Sequence, residues 1–372
     1  MSFKKVAIIG AGASGLFLAH LLSENECFKV SLFEKKSQIA SKVRASGGGR
    51  ANIFNRVIRP TDYNNAAFIE KLLAKVSPAS IEKKFHQFGL LTISDSEGRV
   101  YPVTQFSQTI VDVLSNFSNN NVNVFTETAV SSIKTDGNNW IINNTYIFDF
   151  VVLATGSPAN LLQKFQKGYS SHLDSLRLNI KPFKSSLTGF QLRNYPKSLS
   201  GCRTKAIASL FQGDKLIHKE SGEVVFKDDG ISGIVVMNLS SYYRRLESTN
   251  NCSLRLNLTY WDENFDVKEY LVNNNSLVGI IHPKLSALFE KQHFDIQNFK
   301  FEILDTYPIS SAQVCCGGVD VTEIDDFFAA KKYRNLYILG EMLDIDGLCG
   351  GYNLFFAFAS AMVAGQKLLD TI

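Results

Sequence analysis

The sequence predicts an α/β protein in which a parallel-sheet domain is split by an antiparallel module. Three observations carry that expectation. Continuous apolar runs at 6–9, 150–154 and 336–339 are too short for helices and suit parallel strands buried on both faces. The first run leads into Gly10-Ala11-Gly12-Ala13-Ser14-Gly15 and then a helical pattern. From about 179 to 238, short strand-like segments alternate with glycines at 189, 201, 213, 222, 230 and 233, as in an antiparallel module.

In chain order, strand 6–9 is followed by a helix over 14–22 and a second strand over 28–33 that ends at Glu34. Phe68, Leu72, Leu73, Val76, Ile81, Phe85 and Phe88 recur at helical spacing, with Pro78 dividing the stretch into two helices. Residues 99–103 read as extended and 107–117 as helical. Alternating segments follow at 122–125, 129–134, 140–142 and 146–148, and Asp136-Gly137-Asn138-Asn139 makes the middle pair a hairpin. Beyond the antiparallel module, 240–246 and 283–291 read as helices and Asn273-Asn274-Asn275 as a loop. The last element is a long helix over 353–369, and no internal repeat or low-complexity tract is visible.

Composition removes several function classes. With 45% hydrophobic and 20% charged residues over 372 positions, the chain is neither disordered nor fibrous. It is long enough to bury a core without a disulfide or metal staple. Lys and Arg number 39 against 35 Asp and Glu, a net +4 that is too small and scattered to argue for nucleic acid but suits an anionic cofactor. Six cysteines show neither CxxC nor zinc spacing, which fits a reducing, cytoplasmic compartment. No apolar run reaches the roughly 18 residues of a membrane span. Lys4-Lys5 ahead of an apolar stretch imitates a signal peptide, but the glycines at 10, 12 and 15 explain that stretch better.

Those glycines have the spacing of a dinucleotide fingerprint, with a strand before, a helix after and an acid at the end of the next strand. Gly10 allows the tight turn, Gly12 lets a pyrophosphate approach the backbone, and Gly15 lets helix and strand pack closely. The helix N-terminus offers unpaired N–H groups to the diphosphate, and Glu34 would accept hydrogen bonds from the ribose hydroxyls. An incidental glycine-rich turn is the bland alternative, but it leaves the strand, helix and acid unexplained. NAD and FAD share this unit, and three further features favour FAD. Ala19 completes the longer GxGxxGxxxA form. Leu153-Ala154-Thr155-Gly156 gives a buried strand a small, kinked exit. Gly340 and Glu341 follow the last strand, and Gly350-Gly351-Tyr352-Asn353 opens the final helix, whose positive end could face the flavin edge that gains negative charge on reduction.

Ser46-Gly47-Gly48-Gly49-Arg50-Ala51-Asn52 is the most specific segment. Three consecutive glycines are costly unless a backbone must be approached closely. Arg50 brings a permanent fork of donors and Asn52 a neutral donor and acceptor. A flexible surface loop is the alternative. Ala13, Ser14, Lys35, Lys42, Val130 and Asp344 complete the candidate FAD-binding set.

These segments resemble the bacterial YhiN/BaiN-type FAD-dependent oxidoreductases, a group also described as NAD(P)/FAD-dependent oxidoreductases and aminoacetone oxidase-like flavoproteins. The likeness covers most of the chain. It rests on the opening fingerprint and on residues 46–55, which match SGGGRCN-x-TN. Gly98-Arg99-Val100-Tyr101-Pro102, residues 226–233 and Gly317-Gly318-Val319 match further family segments, as do residues 340–347 and 350–353. It implies a flavin domain, a β-barrel-like domain and a small helical insert. The expected boundaries are 1–180 and 310–372 for the flavin domain, 181–239 with 298–309 for the β-rich domain, and 240–297 for the insert. Several positions depart from the family. Ala51 replaces a cysteine, Lys227-Asp228-Asp229 replaces a Thr-His-x stretch, Ile234 replaces a proline, and the segment after Gly156 is reduced.

Other candidates are weaker. The histidines at 20, 86, 172, 218, 282 and 293 have no metal spacing; His172 comes first for catalysis because it follows the flavin strand. Cys315-Cys316 invites a redox reading, but adjacent cysteines bridge only with strain, so plain loop residues are preferred. Cys349 stands next to the Gly350 turn as a sensitive thiol or a small filler. Asp344 and Asp346 either orient the flavin-loop backbone or cap turns. Tyr242-Tyr243-Arg244-Arg245 reads as a solvated helical face rather than a nucleic-acid patch.

The expected function is non-covalent FAD-dependent oxidoreduction of a small molecule, without nucleic acid or membrane partners. There is no second GxGxxG, so NADH or NADPH would visit the flavin transiently as electron donor. A nicotinamide-only dehydrogenase and a flavin-binding sensor or scaffold without turnover are the alternatives.

Overall fold

The first apolar run forms β1 (Lys4–Ile9), in which Val6, Ala7 and Ile8 are fully buried. The computed structural model describes residues 3–160 and 171–372, which divide into two units. The first comprises the described parts of 1–158, 163–183 and 317–372; the second comprises those of 159–162 and 184–316.

In the first unit β1 leads through α1 (Ala13–Ser23) to β2 (Phe28–Phe33) and the short helix α2 (Ser41–Ala45). A side sheet follows, formed by β3 (Phe54–Asn55) and, after α3 (Ala66–Leu73) and α4 (Pro78–Gln87), by β4 (Thr92–Ser94) and β5 (Arg99–Pro102). Pro78 sits at the start of α4, where its missing N–H costs nothing. The next elements are α5 (Ser107–Ser115) and β6 (Val122–Phe125). β7 (Ile133–Thr135), β8 (Trp140–Ile142) and β9 (Tyr146–Phe148) then make a meander, and β10 (Phe150–Leu153) returns to the main sheet. The hairpin at 136–139 joins β7 to β8, but the strand expected over 129–134 is confined to β7.

β11 (Ile180–Ser186) carries the chain out of the first unit. In the second unit β12 (Phe190–Leu192), β13 (Arg203–Gln212), β14 (Lys215–Phe226) and β15 (Gly230–Ser232) precede α6 (Ile234–Arg244). β16 (Cys252–Asn257), α7 (Val267–Asn274), α8 (Pro283–Gln292) and β17 (Phe299–Thr306) follow. The six strands from β12 to β17 close a barrel in the order β12-β15-β14-β13-β16-β17. Two expectations need correction. The helix expected over 240–246 begins at Ile234, because a β-branched start that reads as strand packs its Val235 and Val236 into the core instead. The stretch expected as a helical insert, 240–297, also supplies β16, a central barrel strand whose Cys252, Leu254 and Leu256 alternate inward.

β18 (Val314–Val319), paired with β11, brings the chain back; β19 (Leu336–Ile338) and α9 (Tyr352–Leu369) complete the first unit. Its parallel sheet runs β19-β10-β1-β2-β6, with Ile8 beside both Val152 and Leu32, and Val152 beside Tyr337. Strands from both ends of the chain thus share one sheet. The first and last helices also pack together: a Cβ at Gly365 of α9 would lie 2.3 Å from the Leu21 side-chain tip of α1, which would have to shift to admit it. Among the described residues no helix is long and apolar enough to cross a membrane.

Candidate functional site

In a parallel sheet of this kind, ligands bind beyond the carboxyl ends of the strands. Here the exits of β1, β2, β10 and β19 carry the sequence-predicted residues. At the exit of β1, Gly10 adopts φ +107 and its N–H donates to Phe33 O at 2.8 Å. A Cβ at Gly10 would sit 2.4 Å from Ala154 O, and one at Gly15 would sit 2.0 Å from Gly10 O. These two glycines serve the packing of the chain on itself. Gly12 differs: it is the N-cap of α1, and a Cβ there would meet no atom within 4 Å. α1 has no side-chain cap and no acidic residue in its first turn, so its leading N–H groups and positive dipole end are available to an anion.

Glu34, just past β2, accepts hydrogen bonds from Ala11 N–H at 3.2 Å and Lys36 N–H at 2.9 Å, which hold its carboxylate beside the glycine turn. Lys35 is exposed next to it. Ala13 is half-buried and Ser14 buried, and the Ser14 hydroxyl would lie 3.0 Å from a Cβ at Gly340. The Gly340 N–H in turn donates to Ser360 Oγ at 3.1 Å. Val130 packs half-buried against the core of this unit.

The triple-glycine segment forms a tight turn over Ser46–Gly49 with φ of +56, +65 and +88 at Gly47, Gly48 and Gly49. Space is open around Gly48 and Gly49, whereas a Cβ at Gly47 would lie 2.8 Å from Asn52 N. The Arg50 guanidinium lies 5.2 Å from the centre of the Tyr101 ring. Asn52 points to the start of α9: a Cβ at Gly351 would be 2.8 Å from its Oδ1. That oxygen is buried and has no hydrogen-bond partner.

Gly351 caps α9 with φ +101 and, as in α1, there is no side-chain cap and no acid in the first turn. Gly350 O accepts from Asn55 Nδ2 at 3.4 Å, and Tyr352 O accepts from the Tyr63 hydroxyl at 2.7 Å. Tyr63 is buried, and burial pushes its phenol well above the usual range, so it stays protonated as a donor. Asn353 turns back on the preceding loop, with Oδ1 accepting from Gly347 N–H and Nδ2 donating to Gly347 O, both at 2.9 Å. Asp344 accepts from Gly317 N–H at 2.9 Å, from Lys181 Nζ at 2.8 Å and from Asn64 Nδ2 at 3.4 Å. Asp346 is buried, and its backbone exchanges hydrogen bonds with Asn64. These contacts orient the backbone of the 344–350 loop.

Thr155 and Gly156 leave β10 with φ +74 at Gly156; the Thr155 hydroxyl donates to the Met342 sulfur. Lys42, on α2, donates to Ser157 O at 2.8 Å, Ser157 Oγ at 3.1 Å and Glu341 Oε2 at 2.8 Å, and Ser157 Oγ donates to the same Glu341 oxygen at 3.0 Å.

The residues fit a dinucleotide flavin. Two uncapped helix starts, open glycines at 12, 48 and 49, and the partnerless buried oxygen of Asn52 border one edge of the sheet, and a buried acceptor of that kind calls for a donor from outside the chain. Among the described residues no group of three or more His, Cys, Asp or Glu could hold a metal.

The remaining sequence candidates lie elsewhere or are structural. His20 is buried, with Nδ1 3.3 Å from Leu114 O and its ring 3.9 Å from that of Phe88; burial lowers its pKa. His86 contacts Thr92, His282 caps α8, and His218 stacks on Tyr242 at 4.0 Å. The side chain of His172 lies outside the described residues. Cys315 is buried and Cys316 half-buried with its sulfur 3.7 Å from Lys184 O, and no disulfide joins them. Cys349 is half-buried in the 344–350 loop. Ser157, Tyr63, Asn64 and Ser360 were not expected at the site. Only Ser157 carried a sequence signal, its place directly after Gly156.

The family model described as "HI0933-like protein Rossmann domain" matches residues 4–367. A 3-dehydro-bile acid delta(4,6)-reductase of Clostridium scindens is 26% identical over 408 aligned positions, covering 98% of this chain and 99% of that protein. A protein of Escherichia coli named ribosomal RNA dihydrouridine synthase is 25% identical, with 97% of each chain covered. Among solved structures, the FrdA subunit of E. coli quinol fumarate reductase aligns with all of this chain and 71% of its own at 14% identity and a TM-score of 0.46.

Proposed function

We propose that this chain, which belongs to the HI0933-like family, is an FAD-dependent oxidoreductase, that NADH or NADPH reduces its flavin and that a small organic molecule with an electron-poor carbon–carbon double bond receives the hydride. The observation that carries this reading is the pairing of the two uncapped helix starts, Gly12 of α1 and Gly351 of α9, at one edge of a single parallel sheet. The residues that would hold the cofactor are Gly12, Ala13 and Ser14 at the first turn, whose shape Gly10 and Gly15 fix from behind, Glu34 and Lys35 after β2, Gly47 to Arg50 and Asn52 in the glycine segment, and Gly340, Glu341 and Gly350 to Asn353 near the C-terminus. When bound, FAD supplies hydride transfer at N5. The N–H groups at the start of α1 neutralise diphosphate charge. Those at the start of α9 favour negative charge near the ring, and the buried Asn52 oxygen accepts a donor from it.

The double-bond substrate class is supported by the reductase of C. scindens, which aligns with nearly the whole chain. The transient nicotinamide is supported by the sequence, which holds one glycine fingerprint. The test is an absorbance spectrum of the purified protein, then anaerobic NADPH or NADH, then a panel of conjugated enones. Bleaching of a yellow protein by a nicotinamide and its recovery with an enone are the expected results. A yellow protein inert to both donors would favour a sensor, and a colourless protein that binds NADH a nicotinamide-only dehydrogenase.

A further inference from the structure

Lys42 carries a charge at the sheet edge, and its ammonium is engaged by acceptors of the chain itself. A lysine has three donors and no acceptor. All three are accounted for inside the chain, by Ser157 O, Ser157 Oγ and Glu341 Oε2. Glu341 is engaged through Oε2 alone; among the described residues Oε1 has no hydrogen-bond partner. The side chains of Lys42 and Glu341 are 38% and 20% exposed, so the carboxylate is the more enclosed of the two. Their partners lie far apart in the chain: Lys42 follows β2, Ser157 follows β10 and Glu341 follows β19. One ammonium therefore ties together three strand exits.

We propose that Lys42 is a positioning residue that acts on the flavin through Glu341, fixing one carboxylate oxygen so that the other faces the cofactor, and balancing a negative charge that would otherwise oppose flavin reduction. The proposal rests on the reading that FAD binds at this edge of the sheet. Its physical basis is simple. A carboxylate near a ring that becomes anionic on reduction disfavours the reduced state, and a cation bonded to that carboxylate cancels much of the effect. Holding the side chain in one rotamer beforehand also lowers the entropy lost on binding. Gly156, with φ +74, borders the pair: a Cβ there would lie in ordinary contact, 3.9 Å from both Glu341 Oε2 and Lys42 Nζ.

The competing arrangement is a lysine that contacts the cofactor directly. A double-mutant cycle separates the two. FAD affinity of the apoprotein and the midpoint potential of the bound flavin are measured for the wild type, K42M, E341Q and the double variant. If Lys42 works through Glu341, K42M and E341Q each weaken FAD by about tenfold, a charge-assisted hydrogen bond discounted for partial exposure. The double variant then loses about tenfold as well, not a hundredfold. K42M shifts the potential to more negative values, and adding E341Q returns it toward the wild type. K42R, which retains the pair, recovers most of the affinity. Additive losses in the double variant, or a K42M potential equal to that of the wild type, would overturn the proposal. A lower melting temperature in K42M with an unchanged potential would also overturn it, by marking a purely structural tie. Should K42M fail to fold, K42Q keeps a donor without the charge, and the same potential shift is required of it. Wild-type protein that takes up no FAD would instead defeat the underlying cofactor reading, so the two failures are distinct.

Discussion

Three glycines of the barrel unit and three at the edge of the parallel sheet are used in opposite ways. Those in the barrel make room for the chain itself. A Cβ at Gly230 would lie 1.9 Å from Phe190 O, one at Gly233 would lie 2.4 Å from Glu223 O, and one at Gly222 would lie 2.8 Å from Val235. At the edge of the parallel sheet, Gly12, Gly48 and Gly49 face open space, and Cβ atoms there would meet nothing within 4 Å. Glycine costs conformational entropy wherever it is placed. In the barrel that cost is offset by close packing, whereas at Gly12 the fold gains no contact in return. Gly48 and Gly49 also have left-handed φ that favours glycine, but Gly12, with φ −86, serves neither packing nor a turn, which leaves the close approach of a ligand as its use.

The comparison can be broken in three places. The largest effect is expected at Gly230→Ala, where the added methyl overlaps a backbone oxygen that cannot swing aside; the barrel should lose about 3 kcal/mol of stability. A melt that matches the wild type would remove the packing argument. Next comes Gly12→Val. Its φ of −86 is an ordinary value for valine, so folding should suffer by about 1 kcal/mol or less, the cost of a poorer N-cap. FAD affinity should fall roughly 100-fold, because the diphosphate can no longer approach the turn. Equal FAD occupancy in this variant, measured by flavin absorbance after desalting, would move the diphosphate elsewhere. The smallest effect sharpens the view of the barrel. Glu220 of β14 accepts from Asn238 Nδ2 at 2.9 Å, and burial raises its carboxyl pKa. A group whose pKa is raised by folding stabilises fully below its unfolded value, and that stabilisation is lost as pH rises through the folded one. Stability should therefore decline as pH climbs above about 4.3, the unfolded glutamate value. Glu220→Gln, which keeps the acceptor, should flatten that decline and raise the melting temperature slightly at pH 7. An unchanged profile would mean that Glu220 carries its charge without penalty.

Much of the parallel-sheet unit was legible in the sequence, since strands buried on both faces write themselves as apolar runs. The apolar runs 6–9, 150–154 and 336–339 fall on β1, β10 and β19, whose central residues are buried on both faces; the spans 28–33, 122–125, 140–142 and 146–148 also coincide with strands, read from their alternation and turns. The barrel was legible as a class but not in its details. The segment Ile234-Val235-Val236 has strand propensity and becomes helix because α6 packs against β14, a tertiary effect that local reading does not see. Residues 267–274 were missed because α7 buries none of its side chains and so lacks an apolar stripe. At the site, the glycines and Glu34 could be read because their spacing along the chain is fixed by one turn. The partners of Lys42 could not: Ser157 and Glu341 lie 115 and 299 positions away. Asn64, which grips both Asp344 and Asp346 from an unrelated stretch, was hidden for the same reason.

The sheet order has a consequence for biosynthesis. β19 adds to an edge started by β10 and β1, and α9 then lies against α1, so the nucleotide cleft is finished by residues that leave the ribosome more than three hundred positions after its first strand. A nascent chain must hold its opening unit incomplete while the whole barrel is translated, a demand that favours slow, non-local closure. Premature stops within the last helix should accordingly yield protein unable to load its prosthetic group, rather than a weakened holoenzyme.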